Sequence, residues 1–394
     1  MSLAVALVSV STASVAALVR HSGPPPGPTS GTLAATPPAS TLPSSAPASS
    51  TPAAGHRPGA TPGRAPAAHL GQLPDAQPMR TTPATVPASG APLPPSGSTC
   101  RLQVWTHLAA CGWPGPGNTG RPPSAAFSRV VAGGYVANQD GMVIDSWKVT
   151  GGIQVRARNV VIRNSLVSNN AGGANGSGVI NINPGASATV EHNTLDGGNA
   201  THACLWHEGS QLTARFNDCQ RINDGVFSWA TQTGVNGTGD NFTIESNYFH
   251  AFTTQAANGH IDGYQTEGAR NGVIRHNTFD ISQDQNSAVA VWNSRKSSDN
   301  ILVDHNLMAG GGFTVYAEDY SPSEQSPAGG YTVTRIRFTG NVFSTVHFGC
   351  VGSYGVWFPR GRPTDAWSRT GNVVLETGQR VDAGNPTYHG TPCT

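Results

Sequence analysis

The chain has 394 residues, only 11% of them charged, and a formal net charge of +1. Soluble domains average about 25% charged residues, and binding nucleic acid by counterion release needs a basic face. From residue 101 onward 19 Arg and Lys stand against 21 Asp and Glu, which excludes that class. A single apolar run of near-spanning length also excludes a polytopic membrane protein.

That run, Leu3 to Val19, is apolar apart from Ser and Thr, and Arg20-His21 follows it. It reads as the core of an export signal over residues 1–21, either cleaved or kept as an anchor, although no basic stretch precedes it. Residues 22–98 come next, and 19 of the 30 prolines lie between His21 and Cys100. Proline removes backbone donors, and Ala, Ser, Thr and Gly bury little area. This stretch is therefore expected to be a disordered, extended spacer. Residues 99–394 are expected to form one folded domain, extracellular and free of lipid, attached to the N-terminal segment through the spacer.

All six cysteines lie in the folded part. An even number in an exported chain favours disulfides, and no CxxC spacing offers a zinc site. Pairing nearest neighbours gives Cys100–Cys111, Cys204–Cys219 and Cys350–Cys393, on proximity alone.

One phrase then repeats. Val161-Ile162-Arg163-Asn164-Ser165-Leu166-Val167 recurs as Thr189-Val190-Glu191-His192-Asn193-Thr194-Leu195 and as Val273-Ile274-Arg275-His276-Asn277-Thr278-Phe279. Asparagines stand at 164, 193, 217, 247, 277, 306, 341 and 372, with spacings of 29, 24, 30, 30, 29, 35 and 31. Such a period means a solenoid. The runs are short, alternating and rich in β-branched residues, so helical repeats fail. The expected fold is all-β: a single-stranded parallel β-helix. Each asparagine is expected at a bend, where its side chain tolerates left-handed backbone. Stacked coils would join the amides into an internal ladder.

With these repeats, the chain resembles the right-handed parallel β-helix proteins of the pectate-lyase-like superfamily over residues 111 to 378. Pro114-x-x-x-Asn118-Thr119-Gly120-Arg121-Pro122 resembles that group's N-terminal cap. His260-x-Asp262-Gly263-x-Gln265 and Gly310-Gly311-Gly312-Phe313-Thr314-Val315-Tyr316 resemble further hallmarks. The resemblance implies a right-handed coil and a polysaccharide lying in a groove along one sheet. One such fold hosts several reactions, so the reaction must come from the site.

The strand before each repeated phrase is expected to line that groove, with alternate side chains outward. The outward set includes Trp206 or His207, Phe227, Trp229, Gln265, Glu267, Trp292, Tyr316 and Glu318. Aromatic rings beside acids and amides suit a sugar chain. Asp224-Gly225 and Asp262-Gly263 open adjacent groove strands, so stacking would set the carboxylates about 4.7–4.9 Å apart. Close acids divide into a proton donor and a base or nucleophile, as glycoside hydrolysis requires. The plainer alternative is turn chemistry at a strand entrance. His260 stands two residues before Asp262 as a tuning or shuttle group, His202 holds a similar place one coil earlier, and Glu267 is the reserve acid.

Hydrolysis by this set needs no cofactor. Elimination is the alternative: Ca²⁺ on Asp224, Asp262 and Glu267 would neutralise a uronate. Arg275, Arg295 or Lys296 would then be the base, with Arg295 and Lys296 also able to touch substrate. A third reading is a non-catalytic glycan-binding surface protein. The partner is a polysaccharide in each case, and a monomer is expected. Closure of the groove would fall to the long loops 230–241 and 320–330.

Overall fold

The computed structural model describes residues 98–169, 178–229, 241–253, 261–294, 296–317, 331–358 and 367–393. The expected export segment and the spacer up to residue 97 lie outside the described residues. So do His260, Arg295, Glu318, the side chain of Trp229 and nearly all of the two long loops. No helix among the described residues is long and apolar enough to cross a membrane.

The chain folds as an all-β parallel β-helix. Each coil gives one strand to each of three faces. The back face runs from Val143–Asp145 to Trp367–Thr370 as nine parallel strands in unbroken order. The front face holds the expected groove strands, among them Asp262–Thr266, Ser287–Val291 and Phe313–Ala317. The bend face follows each repeated asparagine. Two long strands, Thr194–Glu208 and Asp218–Trp229, pass from the bend face to the front face without a break.

Alternation places one aliphatic column inside the back face. Ile162, Val190, Ala214, Ile244, Ile274 and Val303 stack in register. All are wholly buried, and each large aliphatic among them contributes about 1.5–3 kcal/mol. The column ends on Phe338 and then Arg369. The Arg369 guanidinium lies 4.2 Å from the Trp357 ring centre and 4.4 Å from that of Trp367. Burial lowers its pKa to about 10.

Seven asparagines form the ladder: 193, 217, 247, 277, 306, 341 and 372. Each Nδ2 except that of Asn372 donates to the next Oδ1 at 2.9–3.0 Å. The same Nδ2 also donates to a carbonyl of the preceding coil, for example Asn277 to Ile244 O at 2.9 Å. Each of these asparagines except the last sends its backbone N–H to the next Oδ1. These buried amides therefore leave no donor or acceptor unmade, as burial demands.

Two expectations about the bend are corrected. The left-handed residue is the one before each ladder asparagine: His192, Phe216, Ser246, His276 and His305 have φ between 51° and 57°. The asparagines themselves are turned inward by that bend. Asn164 takes the same left-handed place at φ 51°, so Ser165 occupies the ladder position and its N–H donates to Asn193 Oδ1 at 2.9 Å.

The segment before the first coil also departs from expectation. Helix Ser98–Gln103 and the short turns Val104–Thr106 and Ala109–Cys111 lie along the bend face. Arg101 Nε donates to Leu375 O and Glu376 O in the last coil. Further on, the chain meets Ser344 through Trp105, His276 through Gly112 and Trp113, and Phe216 through Gly120. The motif 114–122 is thus part of a lateral strap and not an end cap. The cause is apolar: Val104, Leu108 and Trp113 pack on Tyr248, Leu307 and Val342, which face outward there. The disulfides are Cys100–Cys111, Cys204–Cys219 and Cys350–Cys393.

The ladder ends on Asp382. Its Oδ1 accepts the Asn372 N–H and Nδ2 at 2.9 Å each, and its Oδ2 accepts the Gly371 N–H at 3.0 Å. Burial works against this carboxylate, but Arg380 and the amide donors outweigh it and hold its pKa at about 2. Asp382→Ala is expected to cost about 1–3 kcal/mol by orphaning those donors. The folded-state value is depressed, so this contribution is whole above about pH 4 and is lost as pH falls towards about 2. Thermal melts of both proteins check it: the gap should be full at neutral pH and narrow in acid. Equal melting temperatures at neutral pH would refute the cap.

Candidate functional site

Asp224 and Asp262 stand opposite each other on adjacent front strands, between Ala203 on one side and Ser287 on the other. The glycines that follow them explain how acids reach this position. A Cβ on Gly225 would lie 2.2 Å from Gly263 O and 2.8 Å from the Phe249 ring. One on Gly263 would lie 2.3 Å from the Phe279 ring. Phe249 and Phe279 stack inside the coil at 5.0 Å, so only glycine fits there. The next residues, Val226 and Tyr264, also face the core. Two successive inward residues mark a bend, and the bend turns the aspartates to the groove side. The Asp-Gly pairs thus do more than make a turn.

Both carboxylates are wholly buried. One terminal atom of the Gln265 amide lies 3.3 Å from both Asp262 Oδ2 and Asp224 Oδ2, and it is assigned as the nitrogen because only a donor satisfies two carboxylate oxygens. The two Oδ2 atoms therefore lie no further apart than those two distances end to end. His202 Nε2 is 3.1 Å from Asp224 Oδ2. Asp224 Oδ1 accepts Asn223 Nδ2 at 3.1 Å and the Asp262 N–H at 3.0 Å. Asp262 accepts Asn286 Nδ2 at 3.3 Å and the Ser287 hydroxyl. The result is one connected polar cluster of two acids, one imidazole, three amides and a hydroxyl.

Beside it, Trp206 and Phe227 stack at 4.3 Å, with His202 edge-on to both. Both rings are nearly buried, so they wall the site and do not form an open platform. The accessible rings lie further along the stack. Tyr316 stacks on Phe358 at 4.7 Å and meets the edge of Trp292 at 6.4 Å, while Tyr354 beside them is exposed.

Other expected members do not join the acids. Glu267 follows the strand Asp262–Thr266, five residues after Asp262 and about 16 Å along at ordinary strand rise. Its carbonyl accepts the Lys296 N–H at 3.1 Å, so Lys296 shares that far end. The three-carboxylate calcium set is thus pulled apart by strand length. Among the described residues no three His, Cys, Asp or Glu side chains converge as metal ligands. Arg275 is on the back face, paired with Glu245 at 2.8 Å, because its strand follows the groove strand around the coil. His260, Arg295, Glu318 and the Trp229 side chain lie outside the described residues.

Asn223, Asn286 and Ser287 were missed. Their signal was position: Ser287 is in register with the aspartates, and Asn223 and Asn286 each stand one residue before a position of that register. His202 is the imidazole that meets an aspartate.

No protein-family model and no curated protein matches the chain. Among solved structures, it is similar to the A-module of mannuronan C-5 epimerase from Azotobacter vinelandii, at 11% identity and a TM-score of 0.41. That alignment covers 64% of this chain and 75% of the other. A pectate lyase from a Bacillus species, solved with trigalacturonate, aligns at 13% identity and a TM-score of 0.31. It covers 71% of this chain and 88% of the other. These likenesses accompany the β-helix and say nothing of the reaction.

Of the two residues left open on strand Thr194–Glu208, Trp206 faces the groove and His207 faces the core. His207 Nε2 meets Ser228 Oγ, and burial lowers the imidazole pKa to about 4. An unfolded histidine takes its proton near pH 6.5. Stability should therefore fall as pH drops from about 6.5 to about 4, by about 3 kcal/mol. Denaturant titrations across that range check it. His207→Gln should remove that part of the slope, and an unchanged slope would refute it.

Proposed function

We propose that this protein is a secreted enzyme that hydrolyses glycosidic bonds of a polysaccharide. The observation that supports it is the in-register Asp224–Asp262 pair, bridged by Gln265 and backed by His202. The Oδ2 separation allowed by Gln265 includes the retaining spacing of about 5–5.5 Å. It barely reaches the roughly 6.5 Å at which an inverting pair makes room for water. Asp262, held by Ser287, Asn286 and Gln265, is the nucleophile: its carboxylate attacks the anomeric carbon and forms a glycosyl ester. Asp224 gives its proton to the leaving oxygen, then takes one from the water that cleaves the ester. His202 is placed to exchange a proton with Asp224 between these steps.

Both acids are buried, so cleavage requires this site to open to the glycan. Trp292, Tyr316, Phe358 and Tyr354 would hold the chain on the later coils by stacking on sugar faces. Elimination would draw its base from the Lys296 end of the groove, remote from the acids. Three disulfides suit an oxidising compartment and support export.

The test is incubation of the full chain with neutral and uronate polysaccharides, with and without calcium, followed by product masses. Hydrolysis predicts one added water per cleavage. Asp224→Asn and Asp262→Asn should each lower kcat by about 10²–10⁴-fold while keeping the melting temperature and glycan affinity. Unsaturated products would replace this reading by elimination. Full glycan affinity with no turnover would replace it by binding.

A further inference from the structure

The register between the two long strands breaks once, just ahead of the acids. Thr194–Glu208 runs opposite Asp218–Trp229 from Thr194↔Asp218 to Asp196↔Gln220, and again from Thr201↔Ile222 to Glu208↔Trp229. Between these stretches Gly197 to Ala200 stand against Arg221 alone, four residues against one. Such an insertion is a bulge, and bulges re-aim the side chains beside them. Thr201 and Ile222 are the first pair beyond it, and His202 and Asp224 follow at once. A one-residue change in the bulge would move His202 one place along and turn it to the other face of its strand. The contact of His202 Nε2 with Asp224 Oδ2 at 3.1 Å therefore depends on the length at which this bulge is held.

One ion pair holds it. Arg221 Nε donates to Asp196 Oδ1 at 2.8 Å, and a terminal guanidinium nitrogen donates to Asp196 Oδ2. Asp196 Oδ1 also accepts the Gly198 N–H at 2.9 Å, so a single carboxylate ties the longer side of the bulge to the shorter. The backbone is shaped to this arrangement. Gly198 and Asn199 both have φ of 60°, and Arg221 has φ of 55°. A Cβ at Gly197 would lie 2.5 Å from Arg221 O, which admits only glycine there. A left-handed arginine costs more than a half-exposed ion pair normally returns. Strain kept beside a candidate site points to a role in geometry. The same clamp recurs away from the acids. Arg335, with φ of 53°, grips Asp299 on the back face through Nε at 2.8 Å and a terminal nitrogen. There the register passes from Asp299↔Thr334 to Ile301↔Ile336 with no residue inserted. The Arg335 clamp thus has the same parts and no bulge to hold.

We propose that Arg221 and Asp196 are positioning residues, whose pair fixes the bulge at the length that sets His202 against Asp224. Arg221 stands three residues before Asp224, and Asp196 six before His202. They act through the two strands that carry the site. The proposal rests on the catalytic reading for its effect on turnover, and on geometry alone for its effect on His202.

NMR of the full chain carrying isotope-labelled histidine tests it, with the His202 ring signals identified by their loss in His202→Gln. The wild type is expected to show a slowly exchanging, hydrogen-bonded His202 Nε2–H. Arg221→Gly removes the clamp while keeping a residue that accepts left-handed backbone, and it should lose that signal. Arg335→Gly should keep the signal, and the two glycine variants should melt alike. Asp196→Asn serves if Arg221→Gly misfolds. On any of the neutral and uronate polysaccharides that the wild type cleaves, Arg221→Gly should lower kcat by about 10²-fold with KM unchanged. Arg335→Gly should leave both constants unchanged. A wild type that cleaves none of them would count against the catalytic reading alone, and the His202 signal would still decide this proposal. Absence of that signal from the wild type, its survival in both Arg221→Gly and Asp196→Asn, or its equal loss in Arg335→Gly would overturn the positioning role.

Discussion

The amide-to-amide bond between consecutive ladder asparagines is the constraint on which the rest depends. A parallel pair can slip by two residues without exposing its apolar face. The asparagine prevents this, because a slipped coil would leave a buried amide without partners. Each Nδ2 ties the coil behind to the coil ahead. The bend face is thereby fixed, and the back and front faces follow within each coil. Insertions between bends are then tolerated, since the ladder resets the register at every turn.

The site depends on that reset. Thirty-eight residues separate Asp224 from Asp262, yet they stand opposite each other. The bend at Asn247 re-establishes the alignment between them. Glycine at 225 and 263 completes the arrangement by letting Phe249 and Phe279 fill the inside while the acids turn outward. Two buried acids in one cluster are costly unless donors surround them. Here the donors come from four successive coils: His202, then Asn223, then Gln265, then Asn286 and Ser287. Such an arrangement stabilises the fold less than an apolar one would, and that is the usual mark of a functional site.

The solenoid's ends obey a different rule from its middle. Inside the stack every coil is covered by its neighbours, and at the ends the core must be closed by something else. Both ends place an arginine over aromatic rings: Arg129 over Trp147 and Arg369 over Trp357 and Trp367. Among the described residues, the far end also has backbone cover and a carboxylate cap on the ladder. The strap lies along the side of the stack, because its apolar residues find outward-facing partners along the bend face.

The repeat, the strand-length apolar alternation and the sparing use of charge determined the solenoid by themselves, because each coil repeats one local pattern. The same regularity aligned Asp224 with Asp262 on paper, and nearest-neighbour spacing sufficed for the disulfides. Tertiary structure decided what lies between repeats. It moved the left-handed bend to the residue before each asparagine, replaced Asn164 by Ser165 on the ladder, and sent Arg275 to the back face. It also laid the strap along the side and separated Glu267 from the acids. For the left-handed bend and the ladder place of Ser165 the deciding quantity is which way a side chain faces at a bend. That depends on what the neighbouring coils leave room for, and no single coil's sequence contains it.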